Sequence, residues 1–486
     1  MLDEPRPCCL ARNRVRAARS LGNGAGAILP AVRPALLVLV LCGACNPSPT
    51  TQAVLVFEAE APLDEEAARL TIEVRGEGTV EMRDLDLRSE DPLERLPIEF
   101  PLVPVGGDAS REYDVLTRIF DDSGAVIGEQ RARGGYVKDE LVRLRIVFTP
   151  FCRDIACPEG RTCVEGYCLS DCHGVSPGTA STPSSCEAPC ELEDSGPIVA
   201  EAGQTYERLR IVAPAGEVAI RVDGADDVVL RDIAIVHEGA HAIEINDSDG
   251  VRLEGIAIEY GDGPVVEEAA VRCIDSLDLQ VERLRVRRSA AAFHGSGCDG
   301  LSLSRVVGEE PVAEGDDLAS GVIEIGGGSD IDIEDFSMVT TDADAQSVIR
   351  LNIVSASRVA VRRGLAVSTN RNNSSNIKML NSDDISFEDV DIQRAGHIGF
   401  EGYPATNVTL TRTTCSEPLD TNFIGEDTNP FCWYFANGSS GVTVDGSRHD
   451  WADAPVQGGD GFVSVEADAV EGLEVKPPLT LDLCFD

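Results

Sequence analysis

Apolar and polar positions alternate along most of this chain, but they follow two different patterns. From about residue 51 to 150 the period is two, in stretches such as "AVLVFEAE", "RLTIEV", "REYDVLTRIF" and "LVRLRIVF", with turn signals such as "DDSG" at 121–124. Short alternating strands over this length predict an antiparallel, immunoglobulin-like β-sandwich over 46–150. No catalytic constellation appears in it, so it reads as a spacer or interaction domain. From 193 to the end the pattern is a repeat. An apolar-x-apolar pair opens ten copies, at Val228, Val251, Leu279, Leu301, Ile331, Val359, Ile385, Val408, Val442 and Leu473, spaced 22 to 34 residues apart. Each copy reads as a strand, a two-residue kink, a second strand, a loop of variable length, a third strand and a fixed turn. "HAIEINDSDGVRLEGIAIEY" is the clearest example. The residue before the anchor is Asp, Gly or Asn in nine copies, with Arg358 the exception. Those residue types tolerate the left-handed backbone of a tight turn. Three residues before the anchor the side chain is small in nine copies, as a close-packed corner requires.

A three-strand period with unequal loops at one corner resembles the right-handed parallel β-helix of the pectate-lyase-like superfamily. That resemblance implies an all-β chain with about ten coils around a continuous Val/Ile/Leu core. It implies little about activity, because the same coil carries lyases, hydrolases, epimerases and inert adhesins.

The segments before the repeat change the picture. Residues 1–45 combine an Arg-rich start, a short apolar run from Ala35 to Leu41 and "CGAC" ending at Cys45. The run suits a signal peptide rather than a membrane span. It resembles a bacterial lipoprotein signal, although Cys42 occupies the place usually held by Leu. The resemblance implies lipidation of Cys45 and a location at the outer membrane or cell surface, held through the N-terminal lipid alone. Ordinary cleavage and secretion is the alternative. Residues 151–192 hold Cys152, Cys157, Cys163, Cys168, Cys172, Cys186 and Cys190. In an exported chain such density predicts a disulfide-stapled module rather than a zinc site. "CPEGRTCVEGYC" is similar to EGF-type and other Cys-rich linkers of surface proteins. The pairing cannot be read from spacing, and the odd cysteine is expected to find a partner among Cys273, Cys298, Cys415, Cys432 and Cys484.

Without its first 45 residues the chain carries 35 basic and 82 acidic side chains, a net −47. That charge excludes nucleic acid as a partner and disfavours acidic polymers wherever it is not locally reversed. It is reversed once. The 38 residues between Asp344 and Asp383 contain no acid, yet they hold Arg350, Arg358, Arg362, Arg363, Arg371 and Lys378.

Counting back from each anchor identifies outward positions on the third strand, the face that the variable loops overhang. One outward row is expected to hold Glu244, Arg272, His294, Glu324, Asn352, Lys378, Glu401, Phe435 and Glu466. The next holds Arg350, Asn376, Gly399, Trp433 and Ser464, with His397 and Phe431 one place further back. Arg350, Asn352, Asn376, Lys378, His397, Glu401, Tyr403 and Trp433 are therefore the expected ligand-binding residues. Cations and amides beside aromatic faces suit a polysaccharide, specifically an acidic glycan. A Trp433 exposed beside Lys378 favours such a site, and a buried one favours a stalk.

Three functions compete. The first is carbohydrate binding. The second is a lyase or epimerase acting on a uronate polymer, with Lys378, His397 or Tyr403 as base, Glu401 as a further catalytic candidate, and Arg350, Asn352 and Asn376 offsetting the substrate carboxylate. The third is a structural adhesin. "AGHIGFEG" and "SDDI" look like polygalacturonase motifs, but Asp384 falls at a turn position and Glu401 has only the distant Glu466 as a second carboxylate, which disfavours hydrolysis. No cofactor is expected. Calcium on "AEGDDLA" or "TDADAQ" has no defined ligand spacing behind it. A monomer is expected.

Overall fold

The computed structural model of the protein describes residues 51–486 except 77–78, 90–94, 173–185, 187–191, 240, 262–268, 311–321, 340–350, 368–374, 395–397, 417–430, 437, 451–455, 459–461, 471–472, 474–475, 480, 482 and 484–486. Cys45, Cys190, Arg350, Arg371, His397, Cys484 and both acidic loops considered for calcium lie outside the described residues.

The period-two segment forms two facing sheets. Ile98–Leu102, Gln52–Ala59 and Leu141–Phe148 make one; Thr79–Asp86, Arg69–Gly76, Glu112–Phe120 and Val126–Gly135 make the other. Alternate residues such as Leu55, Phe57, Leu70, Ile72, Ile119 and Phe148 fill the space between them. The sandwich is not wholly antiparallel, because Gln52–Ala59 runs parallel to Leu141–Phe148. The cysteine module is closed by the bonds Cys152–Cys163, Cys157–Cys168 and Cys172–Cys186. Its hairpin pairs Arg161–Val164 with Tyr167–Ser170.

The repeat is a parallel β-helix. All successive coils pair in parallel, in a thirteen-stranded sheet of long strands and an eleven-stranded sheet of short ones. The first two strands, expected to be separate, are one long strand bent at a single left-handed residue in most copies; in the copy opened by Val408 they stay separate, Ala405–Thr411 and Thr414–Ser416, with the left-handed residue between them. Those residues stack from coil to coil as Arg208, Asp232, Gly255, Arg283, Arg305, Asp335, Arg363, Asp389, Arg412 and Gly446, all with φ between 50° and 70°. Each non-glycine member costs about 1 kcal/mol in that conformation. Opposite charges on stacked neighbours offset part of it: Arg363 reaches Asp335 at 2.8 Å and Arg412 reaches Asp389 at 2.7 Å. At Gly255 a Cβ would lie 2.6 Å from Asp232 Oδ1, in the space across which Arg283 pairs with Asp232 at 3.5 Å.

The fixed turn behaves as its residue types require. Asp227, Gly250, Asp278, Gly300, Asp330, Arg358, Asp384, Asn407 and Gly441 all have positive φ. Asp384 is thus a turn former, and Asn407 Nδ2 donates to it at 3.0 Å. The small corner residues are buried, and their hydroxyls stitch coils together: Ser248, Ser276, Ser382 and Ser439 each accept from a backbone N–H one coil away.

Two features depart from the ten-copy reading. Strands Ile198–Val199 and Ile220–Asp223 extend the short-strand sheet before the first anchor. At the other end Leu473 opens no strand among the described residues. Leu479, Leu481 and Leu483 instead pack on Val307 and Leu365, outside the coil, together with Tyr167 and Leu169 of the cysteine module. Lys476 is buried with its Nζ 4.1 Å from the Tyr167 ring centroid.

Near the start of the coil, His237 is fully buried and its Nε2 donates to the Glu217 carbonyl at 2.7 Å. Burial pushes its pKa below the ordinary 6.5, against a smaller opposing pull from that hydrogen bond. A depressed histidine contributes stability that is complete above the unfolded pKa and fades as pH falls through the folded one. Thermal melts are therefore expected to weaken below about pH 6.5 in the wild type and to do so less in His237→Gln. Identical pH profiles for the two proteins would count against this role.

Candidate ligand-binding face

The connections between sheets place all length variation on one side. From a long strand to the next short one the chain uses stretches such as 261–268, 310–322, 340–350, 368–374 and 417–430; the return to the next long strand is short throughout. Every long connection therefore ends at the start of a short strand.

On the outer face of the short-strand sheet the outward row is continuous. Glu244, Arg272, His294, Glu324, Asn352, Lys378 and Glu401 are register partners in succession. Arg221 extends the row below Glu244, and Tyr434 extends it above Glu401. The row was expected to end in Phe435 and Glu466, and the structure corrects both. Seven residues separate Glu244 from its anchor Val251, but eight separate Tyr434 from Val442. One extra residue in the turn reverses every side chain of Phe431–Phe435. Glu466 lies on Phe462–Ala469, which pairs in the other sheet with Val442–His449.

The same slip removes Trp433 from the ligand face. It pairs with Phe400 in the core, is fully buried, and donates from Nε1 to Thr413 Oγ1 at 3.4 Å. Asn376 is also corrected: it is only 2% exposed, and its Nδ2 has no partner among the described residues. Above Asn376 a glycine is required, because a Cβ on Gly399 would lie 2.7 Å from the Cys432 carbonyl and 2.9 Å from Cys415 Sγ of the Cys415–Cys432 disulfide.

Lys378 and Glu401 are brought together, with Nζ 3.7 Å from Oε2, and Ser375 Oγ donates to the same Oε2 at 2.7 Å. Both charges are thereby engaged. Tyr403 is 43% exposed beside them. Asn352 is half-buried with its Oδ1 unpartnered.

The basic island dissolves once the coils are stacked. Arg358 pairs with Asp330 at 2.6 Å, Arg362 with Asp332 at 2.6 Å and Glu334 at 3.3 Å, and Arg363 with Asp335 and Glu334. These acids belong to the preceding coil, on the long-strand sheet. The described cations of the island are thus structural counter-charges. Along the ligand face itself, Arg221, Arg272 and Lys378 are balanced by Glu244, Glu324 and Glu401.

Sequence reasoning passed over the other half of this row, where His241 joins Glu244, Arg272 and His294. His241 Nε2 is 3.4 Å from Arg272 Nη1. Burial holds the His294 pKa below the usual histidine range, Glu324 raises it, and Arg272 and His241 lower it further. The signal was available, since His294 stood in the same predicted row as Lys378. No group of three or more metal-ligating side chains occurs among the described residues.

No protein-family model matches the chain, and no curated protein matches it. Among solved structures it is similar to PfbA, a surface adhesin of Streptococcus pneumoniae, with a TM-score of 0.31 at 10% identity, covering 54% of this chain and 71% of that one. It is similar to a family 28 exopolygalacturonase of Yersinia enterocolitica, with a TM-score of 0.30 at 9% identity, covering 86% of this chain and 96% of that one. It is similar also to the Dettilon tailspike protein, with a TM-score of 0.28 at 10% identity, covering 54% of this chain and 60% of that one.

Proposed function

We propose that the protein is an exported, surface-attached β-helix that binds polysaccharide without cleaving it. The observation that carries this reading is the unbroken polar row on the short-strand sheet, one side chain per coil from Arg221 to Tyr434. Rungs about 4.8 Å apart suit a linear polymer laid along the row. Burial of Trp433 argues against an aromatic platform and moves the reading toward an adhesin. The tie from Glu401 to Lys378 and Ser375 argues against a free acid or base at that end. The mutual cancellation of charge along the row favours a neutral glycan over the acidic one expected from the basic island. Attachment through lipid on Cys45 follows from the signal-like N-terminus, and the disulfides fit an oxidising compartment.

One experiment tests binding and attachment together. The full chain, expressed in a bacterium with an outer membrane and fed an alkyne fatty acid, is expected to label at Cys45, to lose the label in Cys45→Ser, and to bind on a glycan array without releasing reducing ends or unsaturated uronates. Release of either product removes the non-catalytic reading. Absence of label leaves a secreted protein in place of a lipoprotein.

A further inference from the structure

The two edges of the four-stranded sandwich sheet are finished differently. Along Val126–Gly135 the cysteine module covers the edge: the Arg131 N–H donates to Thr162 Oγ1 and the Arg133 N–H to the Asp171 carbonyl, both at 2.9 Å. At the opposite edge Thr79–Asp86 pairs with Arg69–Gly76 alone. Its register there is unbroken, and just beyond it the Leu87 N–H donates to the Ala68 carbonyl. Main-chain groups of successive residues in an antiparallel strand point to opposite sides, so the odd-numbered residues are the ones bonded to Arg69–Gly76. The N–H and C=O groups of Val80, Met82 and Asp84 therefore point away from the sheet, and no described residue hydrogen-bonds to them. Val80 and Met82 are 62% and 67% exposed. Neither a proline nor a bulge blunts this edge, which leaves it a template for a further strand. Its charges are matched locally: Arg69 with Asp84 at 3.7 Å, Arg75 with Glu73 at 2.7 Å and Arg83 with Glu81 at 2.6 Å. In a chain of net charge −43, this is a strip where a second acidic chain meets little repulsion.

We propose that Thr79–Asp86 pairs antiparallel with the same strand of a second copy of this chain, about a two-fold axis at Met82, so that two sandwiches share one continuous sheet. This goes beyond the polysaccharide reading and does not rest on it. The free main-chain groups set the parity, because even-numbered residues must meet even-numbered ones. Charge then selects the register. Centred on Met82, the strand exchanges main-chain bonds between Met82 and the partner's Met82 and between Val80 and the partner's Asp84. Glu81 then lies opposite the partner's Arg83, and the two-fold axis repeats the contact. These are non-hydrogen-bonded pairs, whose Cα atoms approach to about 4.5 Å and whose side chains are the closer for it. Centring the pair on Glu81 or on Arg83 instead sets two glutamates or two arginines opposite each other, which is destabilising. Charges that ordinarily keep an edge strand single thus admit one partner register. On the other side of the strand Val80 lies diagonal to the partner's Met82, so four exposed apolar side chains close into one cluster. The interface is self-complementary, as a two-fold dimer requires. A contact of one strand per copy belongs with small, transient interfaces below about 1,200 Å², so a dissociation constant in the micromolar range is expected.

Sedimentation velocity of the full chain over about 1–200 µM tests the pairing. The wild type is expected to pass from monomer to dimer within that range. Glu81→Arg and Arg83→Glu each turn two attractive pairs into repulsive ones and are each expected to weaken the dimer about tenfold. Mixing these two variants, or combining both substitutions in one chain, sets opposite charges face to face again and is expected to restore it. Met82→Pro removes an N–H that the single chain leaves unused, so the sandwich is expected to stay folded while the dimer is lost. Far-ultraviolet circular dichroism checks the fold of every variant. A wild type that stays monomeric throughout overturns the proposal. So does a dimer that survives Met82→Pro, because its interface then lies elsewhere, and so do charge variants that fail to rescue each other, because the strands then do not meet about Met82.

Discussion

Trp433→Ala is expected to destabilise the C-terminal coils by about 3–5 kcal/mol and to leave glycan binding by the folded protein unchanged. The indole fills the core opposite Phe400, meets His449 edge-on with centroids 6.0 Å apart, and spends its N–H on Thr413. Truncation removes its buried contacts and leaves a cavity between coils that the Cys415–Cys432 disulfide keeps from collapsing freely. A solenoid need not unfold as one unit, so the effect belongs in the transition of the C-terminal coils rather than in a single global midpoint. Urea unfolding followed by far-ultraviolet circular dichroism measures it, since the readout must not depend on the indole that is removed. An unaltered midpoint accompanied by lost binding would return Trp433 to the ligand face.

The contrast between expectation and structure at Trp433 shows what the repeat made legible. Small residues three before each anchor and turn formers one before it state a corner and its backbone, because those positions tolerate few side chains. Counting from them placed Glu244 through Glu401 in one row across seven strands. The count failed where a turn grew by one residue, between Tyr434 and Val442, since a period-two strand has no memory of its register beyond the turn that sets it. Pattern also could not place Leu479, Leu481 and Leu483. Their alternation suits a coil strand, but their partners are Tyr167 and Leu169, some 310 residues earlier in the chain.

Charge was misread for a different reason. An island along the sequence is not an island in a β-helix, where the nearest neighbours of residue 358 lie one coil away. Superposing "DIDIED" at 330–335 on "RVAVRR" at 358–363 brings Asp330 to Arg358, Glu334 to Arg362 and Asp335 to Arg363, the pairs found in the structure. The evidence lay in the alignment of the copies rather than in local composition. On the ligand face the same stacking brings Glu401 onto Lys378, which a reading of the acid-free stretch alone leaves unpaired.

These pairs differ widely in what they contribute, and Arg363→Met set against Arg358→Met separates them. Arg358 and Asp330 are both exposed, with more than half of each side chain in water, so solvent screens their attraction. Losing Arg358 is therefore expected to change stability little. Arg363 is 14% exposed and Asp335 not at all; Asp335 Oδ1 accepts from Arg363 Nε at 2.8 Å and faces the Cys168 backbone N–H of the cysteine module at 3.5 Å. Removing Arg363 leaves Asp335 and Glu334 side by side without their cation, and a cost of about 3–5 kcal/mol is expected at pH 7. Burial already raises the Asp335 pKa against the pull of Arg363, and without the arginine it rises further. A carboxyl with a raised folded pKa contributes stability that is complete below its unfolded pKa and is lost as pH climbs through the folded one. The deficit of Arg363→Met is therefore expected to shrink between pH 7 and pH 4, whereas that of Arg358→Met stays small throughout. Urea midpoints at the two pH values decide it: equal deficits for the two variants would mean that the left-handed stack, and the docking of the cysteine module on it, does not depend on this buried pair.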